Sequence, residues 1–258
     1  MNRLIDSHCH LDFHVFDNDR TDILSRCLQL GVSDIVIPSV TADKWHRLLE
    51  LCNQSSVLHP ALGLHPLFMD EHTPEHLVQL ERLVASIQPV AIGEAGLDFY
   101  LPEHNKQAQI DLLTSQLKIA QQAQLPVLLH VRKAHDQTIS LLKMHSVKGG
   151  IVHAFNGSLQ QAESYQKLGF VFGIGGVITH AKATRLRTLF SQLPLSSIVL
   201  ETDAPDMPLA DMQEMSDYRN TPENIPKILS ALAFIRTESE TELATITTAN
   251  AKRILNIQ

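Results

Sequence analysis

The amino-acid sequence predicts a single α/β domain built as a (β/α)8, or TIM, barrel. Its 258 residues match the roughly 250 typical of one such barrel. Short apolar runs alternate with longer amphipathic segments from end to end, the pattern of βαβ units around a parallel sheet. Histidines and carboxylates recur where the apolar runs end, and the C-terminal ends of barrel strands are where such folds build their active sites.

The apolar runs centre on residues 4–10, 34–38, 57–63, 90–94, 127–130, 150–153, 170–174 and 198–202. Helical periodicity marks 44–53, 74–87, 104–122, 134–145, 159–168 and 182–192 between them. A further helix is expected over 222–235, with Pro222 near its start, and an extra terminal one over 240–257. Residues 204–221 have weak periodicity and read as a long loop after the eighth strand, a position that commonly carries function. No linker, charge block or repeat interrupts the series, so residues 1–258 read as one domain. A doubly wound sheet often carries a glycine-rich phosphate turn after its first strand. Here the first run ends in histidines, and neither GxGxxG nor GxxxxGK[ST] follows a strand, so no nucleotide cofactor is expected.

With 44% hydrophobic and 19% charged residues, the composition is that of a globular protein with a sizeable core. No apolar run approaches the ~20 residues of a membrane span, and MNRLIDSHCH lacks the pattern of a secretory leader. Cys9, Cys27 and Cys52 are odd in number and lack CxxC spacing, which fits reduced thiols in a cytoplasm. The formal charge of −7 disfavours a long nucleic-acid footprint. A small basic pocket gripping one or two phosphates remains compatible with it. The sequence does not set the oligomeric state.

His8 and His10 are two apart on an expected strand, so both imidazoles leave one face and Cys9 the other. Glu94 ends PVAIGE, His130 ends PVLLH, His153 ends GGIVH and Asp203 closes SIVLETD. A carboxylate or imidazole buried at such a place costs free energy unless it is paired or metal-bound. Four imidazoles and two carboxylates exceed the needs of one tetrahedral ion with an open position, so two divalent ions per subunit are expected. Glu94 can bridge them through both oxygens. Mixed nitrogen and oxygen donors favour Zn²⁺ or another late first-row ion, with Mn²⁺ or Mg²⁺ as alternatives. Asp203 can be a ligand, the general base toward an attacking water, or both in turn; a structural turn aspartate is the bland alternative. Glu201 reads as a support behind the ligands.

These residues lie in DSHCHLD (6–12), GLHP (63–66), GEAGLDF (93–99), LPVLLHVRKAHD (125–136), HAFNGS (153–158), GIGG (173–176) and LETDAPDMPL (200–209). In order and spacing the set resembles the TatD family of metal-dependent hydrolases, in its YjjV-like subgroup, over essentially the whole chain. The resemblance implies an amidohydrolase-like TIM barrel with His8, His10, Glu94 and Asp203 at one metal and Glu94, His130 and His153 at the other. It also implies a deoxyribonuclease that hydrolyses phosphodiesters, often from the 3′ end, so DNA ends are the expected partner. Some relatives are linked to removal of D-amino acids from tRNA, which makes D-aminoacyl-tRNA or another ester or amide the rival substrate. A non-catalytic metal-binding barrel is the third reading.

His65 in GLHP, in family terms, is placed to touch substrate; a turn histidine before Pro66 is the alternative. Arg132, two residues past His130, can hold a phosphate bidentately or be a solvated helix-start arginine. Arg219 in YRNTPE is a weaker candidate of the same kind. His14, His46, His59, His72, His76, His104, His135, His145 and His180 read as surface or capping residues, Trp45 as core and Cys9 as a small buried hydrophobe.

Overall fold

The computed structural model describes residues 3–100, 105–212 and 218–258. His104, the first residue of the helix expected over 104–122, and residues 213–217 of the expected loop lie outside the described residues. Eight parallel strands follow one another in chain order around one sheet. They are β1 Leu4–Asp6, β2 Val32–Pro38, β3 Leu58–Leu62, β4 Ala91–Asp98, β5 Val127–Arg132, β6 Gly150–Val152, β7 Phe170–Ile174 and β8 Ile198–Leu200. Outside them run α1 Arg20–Gln29, α2 Trp45–Asn53, α3 Pro74–Ile87, α4 Lys106–Ala123, α5 His135–Met144, α6 Leu159–Gln166, α7 Thr184–Gln192, α8 Ile225–Ala233 and α9 Glu240–Leu255. The TIM barrel expected from the sequence is the observed fold. Its last seam closes at the C-terminal rim, where Ser7 N–H donates to Leu200 O (2.9 Å) and Asp203 N–H to His8 O (2.8 Å). Among the described residues, no helix is long and apolar enough to cross a membrane.

Alternation along the strands separates two cores. Ile5, Val36, Ala61, Ala91, Leu128, Ile151, Val171 and Val199, one from each strand, meet inside the barrel with Ala251, Leu255 and Ile257. Leu255 lies beside Val90, Pro126 and Gly169, the residues leading into β4, β5 and β7, so the end of α9 closes the N-terminal mouth. Adjacent strand residues such as Leu62, Ile92, Leu129 and Phe172 point outward into the larger core beneath the helices, where Trp45 and Cys9 are also buried.

Two departures from the expected strands position the site. β1 ends at Asp6 rather than at residue 10, and the chain bends at Ser7 and His8, so the HxH pair is displayed by a bend and not by strand alternation. β4 does not end at Glu94 but continues to Asp98. Simple alternation from inward-facing Ala91 would send Glu94 toward the helices. Instead Ile92 pairs with Val127 and Ala95 with Leu129, an extra residue on β4 that makes a bulge and restores Glu94 to the interior. Gly63 admits this bulge, since a Cβ there would lie 2.7 Å from the Gly93 carbonyl carbon.

Candidate metal centre

One carboxylate organises the rim. Glu94 is buried, and its two oxygens face different partners. Oε2 lies 3.1 Å from His8 Nε2 and 3.5 Å from His10 Nε2. Oε1 lies 3.1 Å from His130 Nδ1 and 3.2 Å from both His65 Nε2 and His153 Nε2. Asp203 Oδ1 joins the Oε2 side, 3.5 Å from His8 Nε2 and 3.6 Å from His10 Nε2. All the expected ligands, drawn from both ends of the chain, therefore meet around Glu94. Asp203 and His130 keep 16% side-chain exposure while the others are more deeply buried, so the centre opens to solvent across those two residues.

The spacing suits metal. Donors bound at ~2.1 Å to one tetrahedral ion stand about 3.4 Å apart, close to the separations around each Glu94 oxygen. Groupings within 4.8 Å of one another are His8, His10 and Glu94; His65, Glu94 and His130; and His8, His153 and Glu201. Among the described residues, His8 Nδ1, His153 Nδ1 and Glu201 Oε2 are buried without a hydrogen-bond partner, a cost the fold bears behind the centre.

Protons alone leave the cluster ill-matched. Burial dominates at His8 and His65 and pulls them down to about 3 and about 4. Burial also opposes charge on His10, but the hydrogen bond and negative charge of Glu94 prevail and raise it to about 9. At Glu94 burial is overcome by the His65, His8 and His153 imidazoles, which hold it well below the usual carboxylate range. Burial raises Asp203 to about 6. A donor set with neutral and cationic imidazoles side by side is the set that divalent ions would equalise.

Hydrogen bonds sort the imidazoles by tautomer. His10 Nδ1–H donates to the Pro38 carbonyl (3.2 Å), leaving the Nε2 lone pair for the centre. His130 Nε2–H donates to Asp98 Oδ2 (3.0 Å), leaving Nδ1. His153 turns Nε2 to Glu94 and has Nδ1 3.6 Å from Glu201 Oε1. His65 is the reverse: its Nδ1 accepts from Leu67 N–H (3.1 Å), so the neutral ring carries its proton on Nε2 and offers a donor rather than a lone pair. Its proximity would make it a ligand; its tautomer makes it a hydrogen-bond donor to Glu94 or to substrate.

Supporting residues include some that sequence reasoning passed over. Asp98, buried on β4, lies on the same face as Glu94 four residues on; the even spacing was the available signal, hidden by ending the strand at Glu94. Asp6 ties the seam together, accepting from Thr202 Oγ1 (2.5 Å), Thr202 N–H (3.0 Å) and His8 N–H (3.2 Å). Glu201 Oε1 accepts from Ala154 N–H (2.6 Å), and Gly173 makes room for the carboxylate, since a Cβ there would meet Oε2 at 1.9 Å. The loop after β8 is pinned by Asn220, whose Nδ2 donates to Thr202 O and Asp206 O, each 2.9 Å.

Arg132 is exposed at the end of β5, its guanidinium 3.6 Å above the Tyr100 ring, with Lys133 Nζ 4.8 Å from the same ring. Arg219 corrects an expectation. It chelates Asp19 (2.9 and 2.5 Å) and donates to Val15 O (2.7 Å), so it staples the loop to the segment before α1 and is not a free phosphate ligand.

The sequence matches the family described as TatD related DNase over residues 5–256. It is 40% identical to the uncharacterized metal-dependent hydrolase YjjV of Escherichia coli (strain K12), covering 99% of this chain and 98% of that protein. Identity to the 3′-5′ ssDNA/RNA exonuclease TatD of Erwinia tasmaniensis is 34%, over 94% and 95% of the two chains. The crystal structure of the Escherichia coli YjjV protein superposes with a TM-score of 0.94 at 39% identity, covering 99% of each chain. With a matching family over nearly its whole length and a barrel rim of clustered metal-ligating side chains, the chain belongs to the TatD family and is a metal-dependent hydrolase.

Proposed function

We propose that this chain is a phosphodiesterase that trims single-stranded DNA from its 3′ end, in a cytoplasmic setting, with residues 1–258 acting as one catalytic domain. The carrying observation is the division of Glu94 between two sets of imidazoles. In this reading His8, His10, Glu94 and Asp203 hold one divalent ion and Glu94, His130 and His153 a second, Zn²⁺ or another late first-row ion. The naming of relatives as single-strand exonucleases supports the substrate class, and the buried free thiols support a reducing compartment.

Bound ions would activate a water and stabilise charge on the phosphoryl oxygens. Asp203, the carboxylate of the cluster that keeps 16% side-chain exposure, is the group placed to take the proton from that water. The water oxygen bonds to phosphorus, the P–O3′ bond breaks, and the proton leaves with the O3′ of the shortened strand. His65 Nε2–H can donate to a phosphate oxygen, and Arg132 can grip a neighbouring phosphate. Asp98 orients His130 by a hydrogen bond, and Glu201 sets a carboxylate 3.6 Å from His153 Nδ1.

A net −7 surface limits binding to about one to three phosphates, which gives end recognition and a shallow salt dependence. The test is digestion of a linear strand and a matched covalently closed circle at two salt concentrations. Only the linear strand should be shortened, and Asp203→Asn should abolish turnover at full metal occupancy. Equal cleavage of the circle defeats end recognition. Cleavage of a D-aminoacyl-tRNA ester but neither strand assigns the rival substrate.

A further inference from the structure

Beside the centre, behind His10 and His65, lies a cavity of about 450 Å³ lined by Phe13, Val40, Phe68 and Pro205, with Asp12 and Lys44 among its polar groups. We propose that it seats the terminal nucleoside of the strand, its base against Phe13 and Phe68; the identity of that ligand rests on the phosphodiesterase reading above.

The cavity adjoins the reacting position through its own aromatic walls. The Phe13 ring stacks on His10, with centroids 4.9 Å apart and planes at 21°. Phe68 meets His65 edge to face at 5.7 Å. Both phenylalanines are only partly buried, although each is a large apolar side chain placed next to a polar centre. Aromatic walls of this kind suit a flat base and do not discriminate among bases. The volume falls within the ~300–1,000 Å³ of small-molecule pockets.

Two features favour a strand end over a strand interior. Charged groups lining the cavity are Asp12, Glu71 and Asp206 against Lys44 and Arg47. Arg47 is already committed to Asp17 and to the Asp12 carbonyl, so the lining does not attract a run of phosphates. Past His130, at the end of β5 and outside the cavity lining, Arg132 and Lys133 flank Tyr100. The charged remainder of a strand therefore belongs on the Arg132 side and its uncharged terminal nucleoside in the cavity. Moreover, Asp12 is 2% exposed and its Oδ1 has no hydrogen-bond partner among the described residues. A carboxylate at this wall disfavours a second phosphate.

Calorimetric titration of the metal-loaded protein with deoxyadenosine 5′-phosphate and with deoxyribose 5-phosphate isolates the base. The nucleotide should bind roughly tenfold more tightly, the scale of one base–aromatic stack. Phe68→Ala and Phe13→Leu should each shrink that ratio several-fold at unchanged metal content. Leucine keeps an apolar contact with His10, and if Phe13→Leu nonetheless loses metal, Phe68→Ala decides alone. Equal affinities in the wild type, or an unchanged ratio in the variants, overturn the seat. If strands are cut but the two ligands bind equally, the phosphodiesterase reading stands and the seat falls. If the nucleotide is preferred and no strand is cut, the nucleoside seat stands and the strand substrate falls.

Discussion

The two ends of the barrel are built on opposite principles. At the N-terminal mouth, Ala251, Leu255 and Ile257 join inward-facing residues such as Ile5, Ala91 and Val171 in an apolar plug. At the C-terminal rim the buried groups are Asp6, His8, Glu94, Asp98 and Glu201. The chain leaves β5, β6 and β8 through left-handed residues, Lys133 (φ 53°), Ala154 (φ 45°) and Asp203 (φ 56°). Such conformations cost about 1–3 kcal/mol each in residues with a side chain, and buried unpaired polar atoms add to that. One end stabilises the barrel, and the other uses that stability to hold reactive groups close together.

The comparison breaks most sharply at Glu94. Glu94→Gln preserves shape but removes the charge that both proposed ion sites share. Metal content should collapse and turnover should fall by several kcal/mol of barrier, roughly a thousandfold or more. The rise in Tm on adding metal should vanish as well. Elemental analysis with thermal melts in metal and in chelator checks this; a variant that retains both ions would remove Glu94 from the bridging role.

At the opposite end the expected pattern inverts. Leu255→Ala opens a cavity in the plug and should cost about 2–5 kcal/mol of stability, measured by denaturant unfolding. The loss should be similar with and without metal, while metal stoichiometry and kcat of the folded protein stay near wild type. A Leu255→Ala protein of normal stability but low kcat would show that the two ends are not separable.

Legibility in the sequence divides along the same line. Periodicity located α3 and β7 residue for residue, because a helix or strand packed on a core writes its period into its own side chains. His130 and His153 were legible for the same reason, each continuing the inward alternation of Leu128 and Ile151. Glu94 was legible as a residue but not in its cause, since a bulge is defined by the partner strand's register. Arg219 looked free because Asp19, which holds it, lies at the other end of the chain. The proton on His65 was illegible too, because the backbone N–H of Leu67 sets it.

Asp98 offers a smaller and more selective test. Its Oδ2 accepts from His130 Nε2–H (3.0 Å), its Oδ1 accepts from Tyr100 N–H (2.9 Å), and its own N–H donates to Gln109 Oε1 (2.8 Å). Burial would raise its carboxyl, but the hydrogen bonds from His130 and Tyr100 together with the nearby His130 and Arg132 charges outweigh that and hold it below the ordinary value, so the group is an anion at neutral pH. An anion there selects the His130 tautomer with a free Nδ1 lone pair and raises the ring's basicity. In Asp98→Asn the charge is lost, and an amide nitrogen turned to the ring would reverse the tautomer. Affinity at one of the proposed ion sites should fall about 10–100-fold, the usual cost of losing such a partner, and excess metal should restore turnover. Glu94→Gln, which removes a donor outright, should not be rescued in this way. Metal titration of kcat for the two variants separates them: unchanged metal dependence in Asp98→Asn would mean that Asp98 only packs against His130, and failure of excess metal to rescue it would place Asp98 closer to the reaction than the orienting role allows.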